Sequence, residues 1–528
     1  SGEKDVRLTR VSIPSSVLKD ATVIADVQIE HRGMGGNDVT VEIEDAGRIL
    51  ARQTVQLQRG VDVTHASLSF PASERGARRL RARIAPVNGE KQLQNNERQA
   101  LISVRDNREK ILLVDGEPRF EDKFIRRALT GENNLQLVQL LRTAPKKYYR
   151  LDVDSAGELV NGFPTSRTEL FKYRALILGS IEASFFTHDQ LQMIAEFVSV
   201  RGGGLLALGG PKALAEGSWS GTAVADALPV EIERGPAAPF SLVRVFPTQA
   251  GATHPVTQLD STTAASLEHW RRLPPLSVTN IVGALKPGAT ALLADSSNTP
   301  VLAYHRFGRG AAFVFTPQDS WLWQMHKDVT VEDETHETFW RQLLRYLVQD
   351  SNDRVQLVAS QSARVQQAMS LTASVTDTAF QSLNDAQVTA TVRAPDGTAH
   401  VVPLTSAGQN FEGSFTPTLP GVHEVAIEAK RGGAVLGETL AYINAGTEDL
   451  ELFDPVARPS TLKRIADETG GRFYTPNKAG SIAEDISLLG HGLTVQQQKE
   501  LWDMPAVFLI MLIALCAEWL YRRKQGLA

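Results

Sequence analysis

The 528-residue chain carries 55 Lys and Arg against 60 Asp and Glu, a net charge of −5, with no long basic block before its last residues. That balance argues against a nucleic-acid partner, and the length exceeds what one hydrophobic core fills, so roughly three or four domains are expected. The one cysteine, Cys516, lies near the C-terminus, which removes disulfides, thiolate metal sites and cysteine nucleophiles from everything before it.

Ser1-Gly2-Glu3-Lys4 opens the chain with neither an initiator methionine nor an apolar leader, so export of the body implies processing, truncation or a longer parent product. Residues 1–107 alternate apolar and polar side chains in short runs at 21–29, 38–45, 52–58, 65–70, 79–86 and 99–104, with turn residues such as Gly35-Gly36 and Asn88-Gly89 between them. Period-two runs at this spacing predict a β-sandwich. The pattern changes at Lys110. Continuous apolar runs at 111–115, 174–180 and 204–210 alternate with helical patterns at 120–130 and 187–202. Further strands are expected at 289–295, 300–308 and 310–317, before a closing helix at about 336–349. Apolar strands alternating with helices predict a parallel sheet covered on both faces, here spanning 108–352. Residues 353–446 return to all-β spacing, with turns at Pro395-Asp396-Gly397 and Leu419-Pro420-Gly421, and predict a second sandwich. A stalk segment, 447–500, holds one clear helix at 459–471, with Ser460 as its cap and Gly470-Gly471 as its stop.

The last segment, 501–524, fixes topology. Trp502, Trp519 and Tyr521 bracket a 14-residue apolar run, Met504 to Ala517, and Arg522, Arg523 and Lys524 follow at once. The 20 residues from Trp502 to Tyr521 span roughly 30 Å as a helix, the hydrocarbon thickness of a bilayer. An apolar run of this length also fits a core helix, but aromatic ends and a basic stop describe a single-pass anchor with a cytoplasmic C-terminus and an extracytoplasmic body.

The stretch Gln94-Asn95-Asn96-Glu97 resembles the close of bacterial CARDB-type immunoglobulin-like domains, which implies that fold for 1–107. The segments ILLVDGEPRFEDKFIRRAL, RGGGLLALGG, ATHPVTQL and YHRFGRGAAFVFTPQDSWLWQMH, with GRFYTP and LWDMP…AEWLYRRKQGLA, resemble bacterial membrane proteins of the glutamine-amidotransferase-like family, often encoded near von Willebrand A and MoxR-type ATPase proteins. The resemblance covers nearly the whole chain. It implies a class I glutamine-amidotransferase-like, flavodoxin-like sheet for 108–352 and an immunoglobulin-like sandwich on each side. Activity does not follow from fold. Active members place a cysteine in a Gly-x-Cys-x-Gly elbow, where the turn and the helix N-terminus lower the thiol pKa. Here Ala207 or Leu208 occupies that place, and the His-Pro element at His254-Pro255 lacks its acid. The helix and strand 462–476 resemble the closing elements of von Willebrand A domains without the metal motif; the segment either docks on such a domain or forms a stalk, and the stalk is favoured.

In an open parallel sheet a ligand sits beyond the C-terminal strand ends. A vestigial pocket is therefore expected around Asp115, Glu117, Arg119, Ser180, Glu182, Ala207, Gly209 and Gly210, with His254. An enzyme using Asp115, Glu117 or His254 requires these side chains to converge in one open pocket. Ser218 and Ser220 are hydroxyl candidates without a readable base, and Gly202-Gly203-Gly204 matches a helix-to-strand turn better than a phosphate loop. His326, Asp328, Glu332, Asp333, Glu334, His336 and Glu337 mix metal-ligand types, but their spacing fits no ligand pattern, and Asp333, Glu334 and Glu337 fit charges at the start of the following helix. Trp321, Trp323, Phe339 and Trp340 form the densest aromatic group, read as core or as an interface lip.

The reading is a non-catalytic, single-pass protein of the bacterial inner membrane. Its periplasmic body binds partner proteins, von Willebrand A-domain membrane proteins among the candidates, and uses no cofactor or metal. The alternative is a ligand sensor or an enzyme of unassigned type using the α/β cleft.

Overall fold

The computed structural model describes residues 4–90, 92–233, 239–446, 459–482 and 504–526. The chain divides into two compact units, Ser1–Asp454 and Pro455–Ala528. In the first unit, alternation builds a two-sheet sandwich from the N-terminal residues. One sheet runs Asp5–Ser12, Thr22–Arg32, Val63–Pro71; the other runs Ser16–Leu18, Glu97–Arg105, Gly76–Ile84, Asp38–Asp45, Arg48–Gln56. Val23, Ala25, Val27 and Ile29 face Val41, Ile43, Leu80 and Ile102 in its buried core. Strands Asp5–Ser12 and Ser16–Leu18 have no counterpart in the sequence reading, because their alternation is short and broken by Pro14.

The middle layer is a nine-stranded sheet. In chain order its elements are β1 (Glu109–Asp115), α1 (Phe120–Ala128), β2 (Leu135–Ala144), β3 (Lys147–Leu151), β4 (Ala175–Leu178), α2 (His188–Ser199), β5 (Gly204–Leu208), α3 (Ala223–Ala227), β6 (Val245–Pro247), α4 (Thr263–Arg272), β7 (Thr290–Asp295), β8 (Pro300–Phe307), β9 (Gly310–Phe315) and α5 (Thr335–Gln349). The strand order is β3-β2-β1-β4-β5-β9-β8-β7-β6. Strands β2, β1, β4, β5 and β9 are mutually parallel, and the outer strands are antiparallel.

Burial on both faces explains the continuous apolar runs. Leu112, Val114, Leu176, Leu178 and Leu205 pack on one face against Ile194 and Phe197 of α2 and Val224 of α3. Ile111, Leu113, Ile177, Leu206 and Phe315 pack on the other against Ile125 of α1, Trp270 of α4 and Leu343 of α5. The hairpin of β2 and β3 was not expected from the sequence.

Residues 355–446 form an eight-stranded sheet system in the order Val355–Val358, Met369–Val375, Asn410–Phe415, Ala399–Ala407, Gln387–Arg393, Gly421–Arg431, Ala434–Gly446, Ser362–Arg364. The strand Ala399–Ala407 pairs with one neighbour through 399–404 and with the other through 405–407, so it crosses between layers. The three layers of this unit share side chains. Leu18 of the N-terminal sandwich packs in the core under α1 and α5, and Phe380 packs in the opposite core. The Arg201 guanidinium lies 4.6 Å from the Phe380 ring centre, and Arg345 Nη1 donates to the Asp20 carbonyl at 2.7 Å.

In the second unit, α6 (Pro459–Glu468) has no buried residue. Ser460 is its second residue rather than its cap, whereas Gly470, at φ +73°, and the bond from Gly471 N to the Ala466 carbonyl close it as expected. The helix α7 (Pro505–Lys524) has no buried residue and is long and apolar enough to cross a membrane. Trp519, Tyr521, Arg522, Arg523 and Lys524 lie in its last turns; Trp502 falls outside the described residues.

Candidate functional site

The C-terminal ends of β1, β4 and β5 gather the expected polar residues, and the cluster they form is closed. Asp115 ends β1 and is fully buried. Its Oδ2 accepts from Arg119 Nη2 at 2.7 Å, Arg119 Nε at 3.1 Å and Ser180 N at 3.2 Å. Its Oδ1 accepts from Glu117 N at 3.2 Å. Arg119 then donates through Nη1 to the Gly209 carbonyl at 2.9 Å, so one guanidinium ties β1, α1 and the end of β5 together. Burial lowers the Arg119 pKa, but Asp115 and Asp122 outweigh it and the net shift is upward. Asp122, in the first turn of α1, is pushed well above the usual carboxylate range, by burial first and the Asp115 charge second.

The glycines here serve this internal packing. A Cβ on Gly179 would overlap the Asp115 carboxylate, and a Cβ on Gly209 would overlap the Thr316 carbonyl. Gly210 hands its N–H to Asn280 Oδ1 at 2.8 Å. Nearer the surface, Glu117 accepts from Ser180 Oγ at 3.0 Å and from Lys212 Nζ at 3.1 Å. Glu182 takes a bidentate pair from Arg142 at 2.6 and 2.7 Å. That hydrogen bonding holds the Glu182 carboxyl below its usual range.

Two sequence candidates lie apart from the cluster. His254 sits between Tyr346 and Tyr304, at ring separations of 4.7 and 5.4 Å, and burial pushes it down to about 4. It caps the turn Pro255–Thr257 by accepting from Val256 N. Ala207 faces the core, beside an apolar cavity of about 10 Å³ lined by Leu178, Leu214, Trp219 and Leu228. That space holds at most one water. Asp115, Glu117 and His254 therefore do not converge in one open pocket. Larger clefts open elsewhere: about 310 Å³ at the end of the first sandwich beside Ile49 and Phe70, about 350 Å³ beside Lys110 and Glu158, and about 400 Å³ where Arg105, Asp353 and Ile443 meet.

Trp323, Phe339 and Trp340 are at most 1% exposed, which corrects their placement at an interface: they fill the core under α5. Trp321 is half-buried and stacks on α1. Beneath it lies a polar network that the sequence did not announce, because its members are far apart in the chain. Ser320 Oγ donates to Glu121 Oε1 at 2.5 Å, accepts from Trp340 Nε1 at 3.0 Å and lies 3.3 Å from His336 Nε2. Burial pushes Glu121 up to about 7 and His336 down to about 3. A hydrolytic triad places imidazole between acid and hydroxyl; here the hydroxyl contacts both, and all three groups are buried. A second chain has the triad order, with Asp260 2.9 Å from His269 Nδ1 and Thr335 Oγ1 2.8 Å from His269 Nε2. Thr335, however, is 4% exposed at the first turn of α5, so the chain ties α5 to α4. Asp333 Oδ1 accepts from Thr335 N at 2.8 Å, the helix-start role expected for it.

No protein-family model matches the sequence, and no curated protein does. Among solved structures, the chain is similar to the CARDB domain of the PF1109 protein from Pyrococcus furiosus, at 19% identity over 19% of this chain and 89% of that one, TM-score 0.18. It is similar to the Lin-41 filamin domain at 17% identity over 18% and 92%, TM-score 0.16. It is also similar to the exo-beta-1,4-mannosidase Op5Man5 from Opitutaceae bacterium strain TAV5 at 14% identity over 47% and 37%, TM-score 0.27.

Proposed function

We propose that this chain is a membrane-anchored protein of the bacterial cell envelope whose body binds partner proteins and catalyses nothing at the strand-end cluster. The observation that carries the reading is the closure of that cluster: Asp115 and Glu182 are held by Arg119 and Arg142, and Glu117 by Lys212. A site built for a ligand leaves convergent polar groups free, whereas the Asp115, Glu117 and Glu182 carboxylates spend their hydrogen bonds on Arg119, Lys212 and Arg142. The apolar wall at Ala207 agrees, since it has neither a nucleophile nor room for a substrate.

The middle layer is proposed to be a glutamine-amidotransferase-like, flavodoxin-like fold that has lost its chemistry, between two immunoglobulin-like sandwiches. Its family is proposed to be the bacterial membrane proteins found near von Willebrand A and MoxR-type ATPase proteins, and von Willebrand A-domain membrane proteins are candidate partners. The helix α7 is proposed as a single inner-membrane span, with Arg522, Arg523 and Lys524 cytoplasmic and the body periplasmic.

Two measurements test this. The full chain, purified in detergent, is expected to give only background hydrolysis of glutamine and of nitrophenyl esters; turnover that Glu117→Ala or Ser180→Ala removes would overturn the non-catalytic reading. In whole cells carrying Cys516→Ser, a membrane-impermeant maleimide should label Val401→Cys once the outer barrier is opened and should leave Gln525→Cys untouched; the reverse pattern inverts the topology.

A further inference from the structure

We infer that the cleft where the two sandwiches meet the end of α5 binds a neutral carbohydrate, a short oligosaccharide held by side-chain hydroxyls and amides. At about 400 Å³ it is the largest of the three clefts described above. That volume falls within the roughly 300–1,000 Å³ of small-ligand sites, which favour such junctions. The inference goes beyond the partner-binding reading and does not rest on it, because the cleft shares no residue with the strand-end cluster.

Strand alternation builds the walls. Ile102 and Val104 fill the core of the first sandwich, so Leu101 and Ser103 on the same strand face out of it and line the cleft. Val355 and Ile443 fill the core of the second sandwich, which turns Gln356, Leu440 and Tyr442 outward. Gln349, the last residue of α5, lies one turn beyond Arg345, which bonds to the first sandwich. Arg105 fixes the frame: it donates through Nε to Ser16 Oγ at 3.0 Å, through Nη1 to Glu109 Oε1 at 3.2 Å and through Nη2 to the Gln349 carbonyl at 3.0 Å. A cleft tied in this way is formed before a ligand arrives, which lowers the ordering cost of binding.

The lining selects the ligand class. Its charged residues are Arg105, Asp350 and Asp353, and each is engaged within the chain: Arg105 by Glu109, Asp350 by Arg306 at 3.0 Å, and Asp353 by Arg174. No charge is left over for an ionic ligand. The side chains of Ser103, Gln349, Gln356 and Tyr442, by contrast, make no hydrogen bond to any described residue. Each of these neutral groups both donates and accepts, as a sugar hydroxyl does. Tyr442 sets an apolar ring behind its hydroxyl, and Leu101 and Leu440 add apolar surface. A pyranose has the matching character, an apolar C–H face with a hydroxyl rim. A peptide bound by strand addition takes a sheet edge rather than outward-facing side chains.

The test uses the full chain in a sugar-free detergent, titrated with maltose, cellobiose and N,N′-diacetylchitobiose and read by calorimetry and saturation-transfer NMR. At least one of these sugars should bind with a Kd of about 1 mM or tighter. For that sugar, Tyr442→Ala should weaken binding about tenfold and Gln349→Ala about fivefold. Tyr442→Phe keeps the ring and its packing and should still weaken binding about fivefold. Gln99→Ala, on the same strand as Ser103 but outside the cleft, should change nothing. Binding of none of the three sugars, equal binding of the neutral peptide acetyl-trialanine amide, or sugar binding that the Tyr442 and Gln349 variants leave intact overturns the proposal. That failure would leave the partner-binding reading standing, because proteins bound to the membrane-extracted chain are scored separately.

Discussion

Substituting Arg119 by Met tests whether the strand-end cluster is an internal ion-pair knot. The change keeps the apolar stem and removes the charge that faces Asp115, whose carboxylate is 0% exposed. Asp115 loses two of the four N–H donors around it, and the Gly209 carbonyl loses its partner. Removing one member of a buried pair costs about 3–5 kcal/mol, because the remaining charge stays out of water. Taking about 4 kcal/mol and a urea slope of about 2.5 kcal/mol per M, the unfolding midpoint should fall by about 1.6 M. Tryptophan emission is a fitting probe, since Trp219, Trp270, Trp321, Trp323 and Trp340, five of the seven tryptophans, lie in the middle layer. The double variant Arg119→Met/Asp115→Asn should recover to within about 1 kcal/mol of the parent, because no unpaired charge remains. A midpoint shift below about 0.4 M for the single variant, or a double variant as unstable as the sum of the two singles, refutes the knot.

Three further outcomes follow from the same geometry. Ala207→Cys should not create glutaminase activity, and its thiol should react with a disulfide reagent only after unfolding, because it points into an apolar space of about 10 Å³; rapid labelling of the native chain would contradict this. Glu121 has a folded pKa near 7 against 4.5 for the free group. The folded state therefore binds the extra proton between those values, and stability is lost as pH rises through that window, by about 3 kcal/mol at most. The Glu121→Gln chain should lack that part of the slope, and denaturation midpoints at pH 5 and pH 8 for both chains decide it. Trp340→Ala should cost about 3–5 kcal/mol in the same unfolding assay and Trp321→Ala less than about 1 kcal/mol. Equal losses would contradict the division between buried and rim tryptophans.

The middle layer was legible where strands are buried on both faces, because Ile111–Val114, Ala175–Leu178 and Gly204–Leu208 had to be apolar throughout to sit under helices. The strand 38–45 was legible for the opposite reason: its second face is polar, with Glu42 and Glu44 covered by Arg52, Arg81 and Arg83, and that keeps the alternation strict. Leu135–Ala144 was not legible, since its Leu-Gln-Leu-Val-Gln-Leu-Leu run satisfies strand and helix patterns alike and only pairing with β1 and β3 decides between them. At the site, the residue types at the strand ends were readable, but their mutual engagement was not. Sequence spacing cannot tell a carboxylate that awaits a ligand from one already held by an arginine four residues on. Glu121, Ser320 and His336 lie up to 215 positions apart, and nothing local links them.

The residues that reach across layer boundaries carry a consequence for anyone dissecting this chain. Leu18 and Phe380 each sit in a core that belongs mostly to another stretch of sequence. A cut at 107 or at 352 would look natural on paper, yet each would strip a plug from its socket and leave apolar lining open to water. The three layers of the first unit are therefore not cassettes to be exchanged or expressed singly, because each borrows its neighbour's side chains to complete a core.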